Sequence, residues 1–317
     1  MPGQIINWIK KHLFLLFLLI LFPGFLYFTN ILSYVNTQLI AMKKAKALKV
    51  VVFDLDETLG YFTELSIFWE ALENFYGTNL LSDKFYVVAD MFPEFFRPDI
   101  LHVLDFINTQ KKKKRCFKTI IYTNNQGPKS WVSMISDYCS MKLGYKVFDC
   151  VIAAYKVRGK QIELKRTSHE KSVKDLLSCT DLPPSTEVCF VDDLYHPLMD
   201  ATNVYYINIK PYRASLSFDE MATRYYDQLL SYSQPAIPKQ AFVNSMVAYM
   251  KQYNYMVVKK SSAEENVDKI VSKQLLTNLE EFLKPKKPTF TRKRRSRVKR
   301  GTPPRPRLKA TRDDIRG

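Results

Sequence analysis

Short apolar runs that alternate with helix-like stretches are the feature that most restricts the fold of this chain. The runs are rich in β-branched residues and predict five strands, Leu48–Phe53, Phe117–Tyr122, Phe148–Ala153, Val188–Val191 and Val204–Ile209. The stretches between them repeat apolar residues every three to four positions and predict helices at Glu64–Tyr76, Asp99–Asn108, Lys129–Met141 and Glu170–Cys179. This alternation requires crossover connections, which favour a parallel sheet with helices on both faces. We therefore expect an α/β domain over residues 47–213.

Three further helices are predicted beyond this domain, in residues 214–283: Phe218–Tyr232, Val243–Tyr253 and Asn266–Leu283. They would either cover an edge of the sheet or form a small helical appendage.

The N-terminal region contains a segment long enough to cross a membrane. Residues 13–35 run for 23 positions without a charged side chain and follow the short basic stretch 1–12. A helix of about 20 apolar residues spans the hydrocarbon core, so we expect a single-pass anchor. A cleaved signal peptide and a buried hairpin are the alternatives, although no small-x-small cleavage site follows at the usual distance.

Positive charge is concentrated at the other end. The 317 residues carry a net charge of +17, and residues 284–317 hold 15 of the 48 Lys and Arg but only two of the 31 Asp and Glu. This tail contains prolines and almost no apolar residues, which predicts disorder. Three roles stay open for it: binding of nucleic acid or nuclear targeting, contact of residues 284–312 with an anionic membrane surface, and solubility.

Several common kinds of site are missing from the sequence. Its five cysteines are widely spaced and include no Cys-x-x-Cys pair, which argues against a disulfide framework and a structural zinc site. It contains neither Gly-x-Gly-x-x-Gly nor Gly-x-x-x-x-Gly-Lys-[Ser/Thr], the glycine-rich motifs that bind dinucleotides and nucleoside triphosphates. The chemistry must therefore come from other groups.

The strongest chemical signal follows the first predicted strand, in the sequence VVVFDLDETLG of residues 50–60. Asp54 and Asp56 are two positions apart, so both side chains can point to the same side at the carboxyl edge of the sheet, where open α/β sheets bind ligands. Two neighbouring carboxylates repel each other unless a cation lies between them. Mg²⁺ is the expected cation, because it prefers oxygen ligands and accepts a site shared with phosphate and water.

Polar residues also follow two later strands. Thr123 and Asn124 come after the second strand and suit a phosphoryl oxygen, and the acidic pair Asp192-Asp193 comes after the fourth. Each of these signals is weak alone, but their common position at strand ends makes the set a strong one.

A lysine completes the set. Thr167 and Glu170 have the Thr-x-x-Glu spacing of a capping box, which predicts Lys171 in the first turn of a helix. Lys165 is the rival for the same role.

Together these motifs resemble those of the haloacid dehalogenase superfamily of phosphotransferases over roughly residues 48–213. Within it, DLDETL together with FFRP at residues 95–98 is most similar to the CTD phosphatase-like (NLI-interacting-factor-like) proteins of large DNA viruses, whose cellular counterparts act on the C-terminal domain of RNA polymerase II. The matching positions are Asp54, Asp56 and Thr58 for the Asp-x-Asp-x-Thr motif, Thr123, Lys171, and Asp192 with Asp193.

The resemblance implies a haloacid dehalogenase-like Rossmannoid sheet and phosphoryl transfer in two steps. Asp54 would attack phosphorus to form an aspartyl-phosphate, and Asp56 would protonate the leaving oxygen and later take a proton from water. Thr58 would support the loop. The phosphate-binding residues implied are Thr123, Asn124 and Lys171, and the implied Mg²⁺ ligands are Asp54, Asp56 through its backbone carbonyl, Asp192 and Asp193.

The spacing of the motifs bears on the substrate. Thr123 and Lys171 are 48 positions apart, and Asp54 and Thr123 are 69 apart, which leaves room for a small cap or none. An open site favours a macromolecule. We therefore expect a membrane-tethered, Mg²⁺-dependent protein serine/threonine phosphatase with its domain in the cytosol, at a host cell membrane if the chain is viral. The alternatives are a phosphatase of nucleic-acid ends and a scaffold that binds nucleic acid or lipid through its basic tail.

Four other residues have simpler interpretations than a role in catalysis. We expect His169 to be solvated and His196 to pack beside Pro197. Trp69 and Trp131 lie at helical spacing from other apolar residues and are expected in the core.

Overall fold

The computed structural model of the chain describes residues 47–77, 84–127, 129–230, 237–253, 257 and 259–285. The expected membrane anchor at residues 13–35, the basic stretch 1–12 and the tail from residue 286 onward lie outside these ranges. Within them, no helix has both the length and the apolar character that crossing a membrane requires.

A sheet of five parallel strands forms the centre of the fold, with the strand order β3-β2-β1-β6-β7. A separate antiparallel pair, β4 with β5, forms a small hairpin. The strands are β1 (Lys49–Phe53), β2 (Lys118–Tyr122), β3 (Cys150–Ile152), β4 (Lys156–Val157), β5 (Lys160–Gln161), β6 (Glu187–Asp192) and β7 (Val204–Asn208). The parallel sheet confirms the predicted α/β class.

In the part of the chain that the structure describes, eight α-helices accompany the strands. They are α1 (Thr63–Tyr76), α2 (Phe85–Met91), α3 (Ile100–Lys112), α4 (Lys129–Leu143), α5 (Val173–Thr180), α6 (Phe218–Leu230), α7 (Lys239–Met250) and α8 (Ser262–Leu283). Strand β1 lies at the middle of the sheet, with β2 on one side and β6 on the other. The strand order therefore reverses beside β1, and the crevice at such a point is where open α/β sheets bind ligands.

Both faces of the sheet are buried, which explains the run of valines in β1. Val51 and Phe53 belong to a large apolar cluster, whereas Val50 and Val52 belong to a smaller one on the opposite face. Helix α5 supplies Leu176 to the smaller cluster, and most of the other helices contribute to the larger one. A strand buried on both faces needs apolar residues at every position rather than at alternate ones.

The C-terminal helices share the larger core. The ring of Phe242 in α7 stacks on that of Tyr225 in α6 at 5.8 Å, and Tyr225 meets Phe68 of α1 edge-on at the same distance. Phe282 of α8 lies 5.8 Å from Tyr205 of β7. Helix α8 is thus packed beside the β7 edge of the sheet, while α6 and α7 cover α1.

Helix α5 begins later than the sequence predicted. Its N-cap is Ser172, whose Oγ accepts a hydrogen bond from the backbone N of Asp175 at 3.1 Å. Thr167 binds the Asp175 carboxylate instead, with its backbone N donating at 2.9 Å and its hydroxyl at 3.0 Å. The expected capping box between Thr167 and Glu170 is therefore wrong, and Lys171 lies before the helix rather than in its first turn. Serine is as good an N-cap as threonine, so the sequence did not show whether Thr167 or Ser172 caps the helix.

Candidate active site

The carboxyl ends of three neighbouring strands bring the predicted polar residues to one edge of the sheet. Asp54 follows β1 and Asp192 ends β6, and the backbone N of Asp54 donates to the carbonyl of Val191 at 2.9 Å. Thr123 follows β2, and its N donates to the carbonyl of Ile152 at 3.0 Å. The hydrogen-bonded ladder thus extends to these residues and holds their backbones rigidly.

Lys171 is buried inside this edge, with only 2% of its surface exposed. Its Nζ contacts Asp54 Oδ1 and lies 2.7 Å from Asp192 Oδ2. The rival Lys165 pairs with Asp181 at 2.7 Å on the protein surface. Lys171, not Lys165, is therefore the lysine of this site.

Three carboxylates lie close together here, and two of them, Asp54 and Asp192, contact Lys171. Oxygen atoms of Asp54, Asp192 and Asp193 lie within 4.8 Å of one another. Thr58 Oγ1 donates to Asp193 Oδ1 at 3.1 Å, which orients that carboxylate. One ammonium group against three carboxylates leaves a negative surplus, and buried oxygen donors of this kind suit a hard divalent cation. The donor set therefore fits Mg²⁺.

The ionisable groups of this cluster differ in the direction of their pKa shifts and in the causes of those shifts. Burial and the nearby charge of Asp192 raise the pKa of Asp54 to about 7, although Lys171 acts against the shift. For Asp192, burial is outweighed by hydrogen bonds from His196 and Lys171, and its pKa is lowered. Burial lowers the pKa of Lys171, but the two carboxylates outweigh this and raise it. Lys171 and Asp192 therefore stay ionised, and Asp54 is the member that titrates near neutral pH.

Asp56 has a different partner from the other carboxylates. Its Oδ2 accepts a hydrogen bond from Asn125 Nδ2 at 2.7 Å. Burial raises the pKa of Asp56, and the bond from Asn125 opposes this only in part. The side chain of Asp56 does not belong to the three-carboxylate cluster, so its part in holding Mg²⁺ through the backbone carbonyl stays a prediction.

A buried arginine forms hydrogen bonds to the turn after β2. Arg166, 2% exposed, donates to the carbonyl of Thr123 at 3.0 Å, to the carbonyl of Ala153 at 2.9 Å and to Asn124 Oδ1 at 2.8 Å. The hydroxyl oxygen of Thr123 accepts a hydrogen bond from the backbone N of Asn125 at 3.0 Å. The side chain of Asn124 is thus bonded to Arg166, and its neighbour Asn125 is the amide that contacts a predicted catalytic group.

A second buried arginine holds the loop after β1. Arg97, 1% exposed, donates through Nε to the carbonyl of Thr58 and through Nη2 to that of Glu57, both at 2.6 Å, and Nη2 also reaches the carbonyl of Lys210 at 2.9 Å. Glu57 has a φ of +57°, which a residue with a side chain adopts at a cost. Arg97 therefore stabilises the strained turn directly after Asp56.

The contacts of Asn125, Arg166 and Arg97 were not predicted from the sequence. Asn125 stands next to the residue that was chosen, and Arg97 is part of the FFRP motif, so both carried a signal. Arg166 carried none, because an arginine beside Lys165 has the same appearance in a sequence whether it is exposed or fully buried.

The two histidines differ in their surroundings. His169 is exposed, as expected, and its ring lies 5.4 Å from that of Tyr155. His196 is buried, with Nδ1 at 2.9 Å from Glu170 Oε1 and Nε2 at 3.5 Å from Asp192 Oδ2. The expectation that His196 simply packs beside Pro197 missed these contacts, through which it orients Asp192.

A cleft of about 680 Å³ opens beside Asp56. Helices α1 and α4 form its walls, and the β4–β5 hairpin contributes Val157 and Arg158. Trp69 and Trp131 are 2% and 4% exposed, which confirms that they belong to the core, yet both also line this cleft.

The chain was compared with protein-family models, with curated proteins and with solved structures, and none of the three comparisons gave a match.

Proposed function

We propose that this protein is a Mg²⁺-dependent phosphatase of the haloacid dehalogenase type that hydrolyses phosphoserine and phosphothreonine in proteins. One observation carries the proposal: Lys171 is buried between Asp54 and Asp192 at the carboxyl edge of a parallel sheet, next to Asp193 and the Asp56–Asn125 pair. A buried lysine among carboxylates with perturbed pKa values, beside a cleft that Asp56 and Asn125 line, is typical of a catalytic site.

Asp54 is the nucleophile in this proposal. Lys171 binds Oδ1 of Asp54, which orients the carboxylate and leaves Oδ2 to attack phosphorus. The new Oδ2–P bond forms as the bond from phosphorus to the serine or threonine oxygen breaks, giving an aspartyl-phosphate on Asp54. The positive charge of Lys171 stabilises the negative charge that develops on the non-bridging oxygens.

Asp56 is the acid and base. Its raised pKa favours a protonated carboxyl group that can give its proton to the leaving oxygen. The resulting carboxylate then takes a proton from the water that attacks the aspartyl-phosphate, which releases phosphate and restores Asp54. Asn125 fixes the orientation of Asp56 during both transfers.

Mg²⁺ would be held by the carboxylates of Asp54, Asp192 and Asp193. When bound, it supplies charge neutralisation, which lets the anionic phosphate approach a cluster that is otherwise net negative.

The proposal is tested by phosphate release from the full-length protein, with and without Mg²⁺, on an aryl phosphate and on a phosphoserine peptide. Asp54→Asn keeps the shape of the side chain but removes the nucleophile, and we expect activity on both substrates to fall on the order of a thousandfold or more. Activity that survives in Asp54→Asn contradicts the proposal.

Asp56→Asn tests the role of the general acid separately from that of the nucleophile, Asp54. An aryl phosphate has a good leaving group that needs little protonation, whereas the serine oxygen needs a proton. We expect Asp56→Asn to slow release from the peptide by about 10²–10⁴-fold and release from the aryl phosphate by much less. Equal losses on both substrates would show that Asp56 is not the general acid.

A further inference from the structure

The cleft beside Asp56 has a long wall formed by one face of α1. Thr63, Ser66, Glu70 and Glu73 all line it, and their spacing of three to four residues places them along a single side of the helix. Thr63 follows the catalytic loop directly, so the start of this wall lies at the proposed catalytic end and its later residues lead away from it.

Helix geometry sets the length of the wall. At about 1.5 Å per residue, Glu70 and Glu73 lie roughly 10 and 15 Å from Thr63 along the helix axis. An extended peptide advances about 3.3 Å per residue. A peptide whose phosphorylated residue lies at the Thr63 end of the wall would therefore meet the two carboxylates about three to five residues away.

The charge of the cleft favours a cationic ligand along that wall. Besides Asp56, the ionisable residues described there are Glu70, Glu73 and Arg158, so carboxylates outnumber the single cation. Glu70 is exposed and Glu73 is half-buried. Glu70 accepts hydrogen bonds from the hydroxyl of Tyr249, at 3.2 Å, and from that of Tyr253. None of the ion pairs between described residues includes Glu70 or Glu73, so no lysine or arginine of the described chain neutralises either carboxylate.

A separate observation at the same wall points to a bound peptide. Trp69 lines the cleft and is 2% exposed, and its Nε1 is buried without a hydrogen-bond partner in the described part of the chain. A buried donor of this kind is costly to leave unpaired, and a peptide carbonyl would satisfy it by displacing the side chains that cover Nε1.

The same features disfavour a nucleic acid. Glu70 and Glu73 would repel a phosphodiester backbone. The faces of Trp69 and Trp131 are buried in the core and leave no flat surface on which a base could stack.

We propose that this cleft binds the peptide segment next to the phosphorylated residue and selects substrates with Lys or Arg three to five positions away, which pair with Glu70 and Glu73. The inference rests on the proposed function for the phosphorylated end of the ligand, whereas the selection of basic residues rests on the cleft alone.

The test compares phosphoserine peptides of equal length that carry either two Lys or two Gln three to five positions from the phosphoserine, on its N-terminal or C-terminal side. We expect the wild-type full-length protein to prefer a Lys peptide in kcat/KM by about tenfold, a difference of about 1.4 kcal/mol. The preference should weaken as salt is raised, because the pairs are partly solvated.

Substitutions in the wall test whether Glu70 and Glu73 cause the preference for Lys peptides. The double substitution Glu70→Gln with Glu73→Gln should bring the Lys-to-Gln ratio to about one and leave hydrolysis of the aryl phosphate unchanged. The reversal Glu70→Lys with Glu73→Lys should favour peptides that carry Glu. The matched control is Glu265→Gln with Glu280→Gln, two exposed carboxylates of α8 outside this cleft, which should keep the wild-type ratio.

Binding of phosphonate analogues, in which CH₂ replaces the bridging oxygen of phosphoserine, separates this inference from the proposed function. A Lys preference in binding of the analogues that depends on Glu70 and Glu73, together with no hydrolysis of the phosphoserine peptides or of the aryl phosphate, supports the cleft and refutes the phosphatase. Hydrolysis or binding with no Lys preference, or with a preference that survives in both double variants, overturns the cleft assignment. Faster hydrolysis of an oligonucleotide 3′-phosphate than of any peptide overturns it as well.

Discussion

Two clusters of buried charge in this protein have opposite compositions. At the carboxyl edge of the sheet, the cluster of Asp54, Asp192 and Asp193 contains one lysine, Lys171, which pairs with Asp54 and Asp192. At the second cluster, a single carboxylate, Asp268 of α8, pairs with two lysines.

The second cluster is complete in itself. Lys210 Nζ lies 2.8 Å from Asp268 Oδ1, and Lys260 contacts Oδ2. Although burial raises it, the hydrogen bonds from both lysines hold the pKa of Asp268 below its usual value. In the first cluster burial prevails and raises the pKa of Asp54 to about 7. The charge of Asp268 is therefore balanced by its two lysines, which indicates a structural role. The carboxylates around Asp54 outnumber their lysine, so this cluster can still take up a cation.

The largest effect expected from this comparison is on stability. Lys171→Met removes the only cation that the structure describes inside the carboxylate cluster and leaves Asp54 and Asp192 buried without it. We expect the free energy of unfolding to fall by about 3–5 kcal/mol in chemical denaturation. The control is Lys165→Met, whose ion pair with Asp181 is exposed and should contribute little. Equal stability of the two variants would mean that Lys171 does not hold the cluster together.

Addition of Mg²⁺ should affect the carboxylate cluster at Asp54 but not the cluster at Asp268. Because the ion binds only the folded cluster, a concentration a hundred times its Kd should stabilise the wild-type protein by about 2.7 kcal/mol, seen as a rise in Tm. Asp193→Asn should abolish the rise, whereas Asp268→Asn should keep it. A rise that depends on Asp268 instead would reverse the assignment of the two clusters.

The effect of Mg²⁺ should depend on pH. Since the pKa of Asp54 is raised to about 7, the group is mostly protonated at pH 6 and ionised at pH 8. Mg²⁺ binds the ionised form, so we expect affinity to be about tenfold weaker at pH 6, or about 1.4 kcal/mol, in calorimetric titrations. Affinity that stays constant between these pH values contradicts the assignment.

The metal-free protein should show the opposite trend. A folded-state pKa above the unfolded value of Asp54 means that the folded protein binds more protons, so this group's contribution to stability is lost as pH rises through 7. Denaturation with a chelator present, at pH 6 and pH 8, measures that loss.

The smallest effect is expected at the complete cluster. Asp268→Asn leaves two lysines whose side chains still reach water, 45% accessible in Lys210 and 18% in Lys260. We expect the free energy of unfolding to decrease by about 1 kcal/mol and hydrolysis of an aryl phosphate to remain unchanged. A large loss of activity would show that α8 influences the catalytic loop, which it could do through Lys210, whose carbonyl accepts from Arg97.

Much of the architecture could be predicted because its signals are local. The β-branched runs such as Val50–Phe53 form buried strands, and helical periodicity placed α1 and α4 within a few residues of their observed bounds. The start of α5 could not be predicted in this way, because Thr167 and Ser172 are both good caps. The carboxylate of Asp175 decided between them by binding Thr167.

The candidate site divides in the same manner. The positions of Asp54, Asp56 and Asp192 at strand ends follow from the sequence alone, since apolar runs end where a sheet meets its edge. The sequence alone does not determine which of these groups contact one another. Asp56 bonds to Asn125 rather than joining the carboxylate cluster, and Asn124 bonds to Arg166.

By itself the sequence determined the α/β class, the order of the strands along the chain and the presence of acidic groups at their carboxyl ends, because these depend on apolar patterning over short stretches. Only the tertiary structure decided that Lys171 is buried among those groups, that Arg97 and Arg166 hold the loops after β1 and β2, and that Glu70 and Glu73 line a cleft beside Asp56. The physical reason is that burial and pairing of charge arise between residues far apart in the chain, and burial is what changes the charge of Asp54.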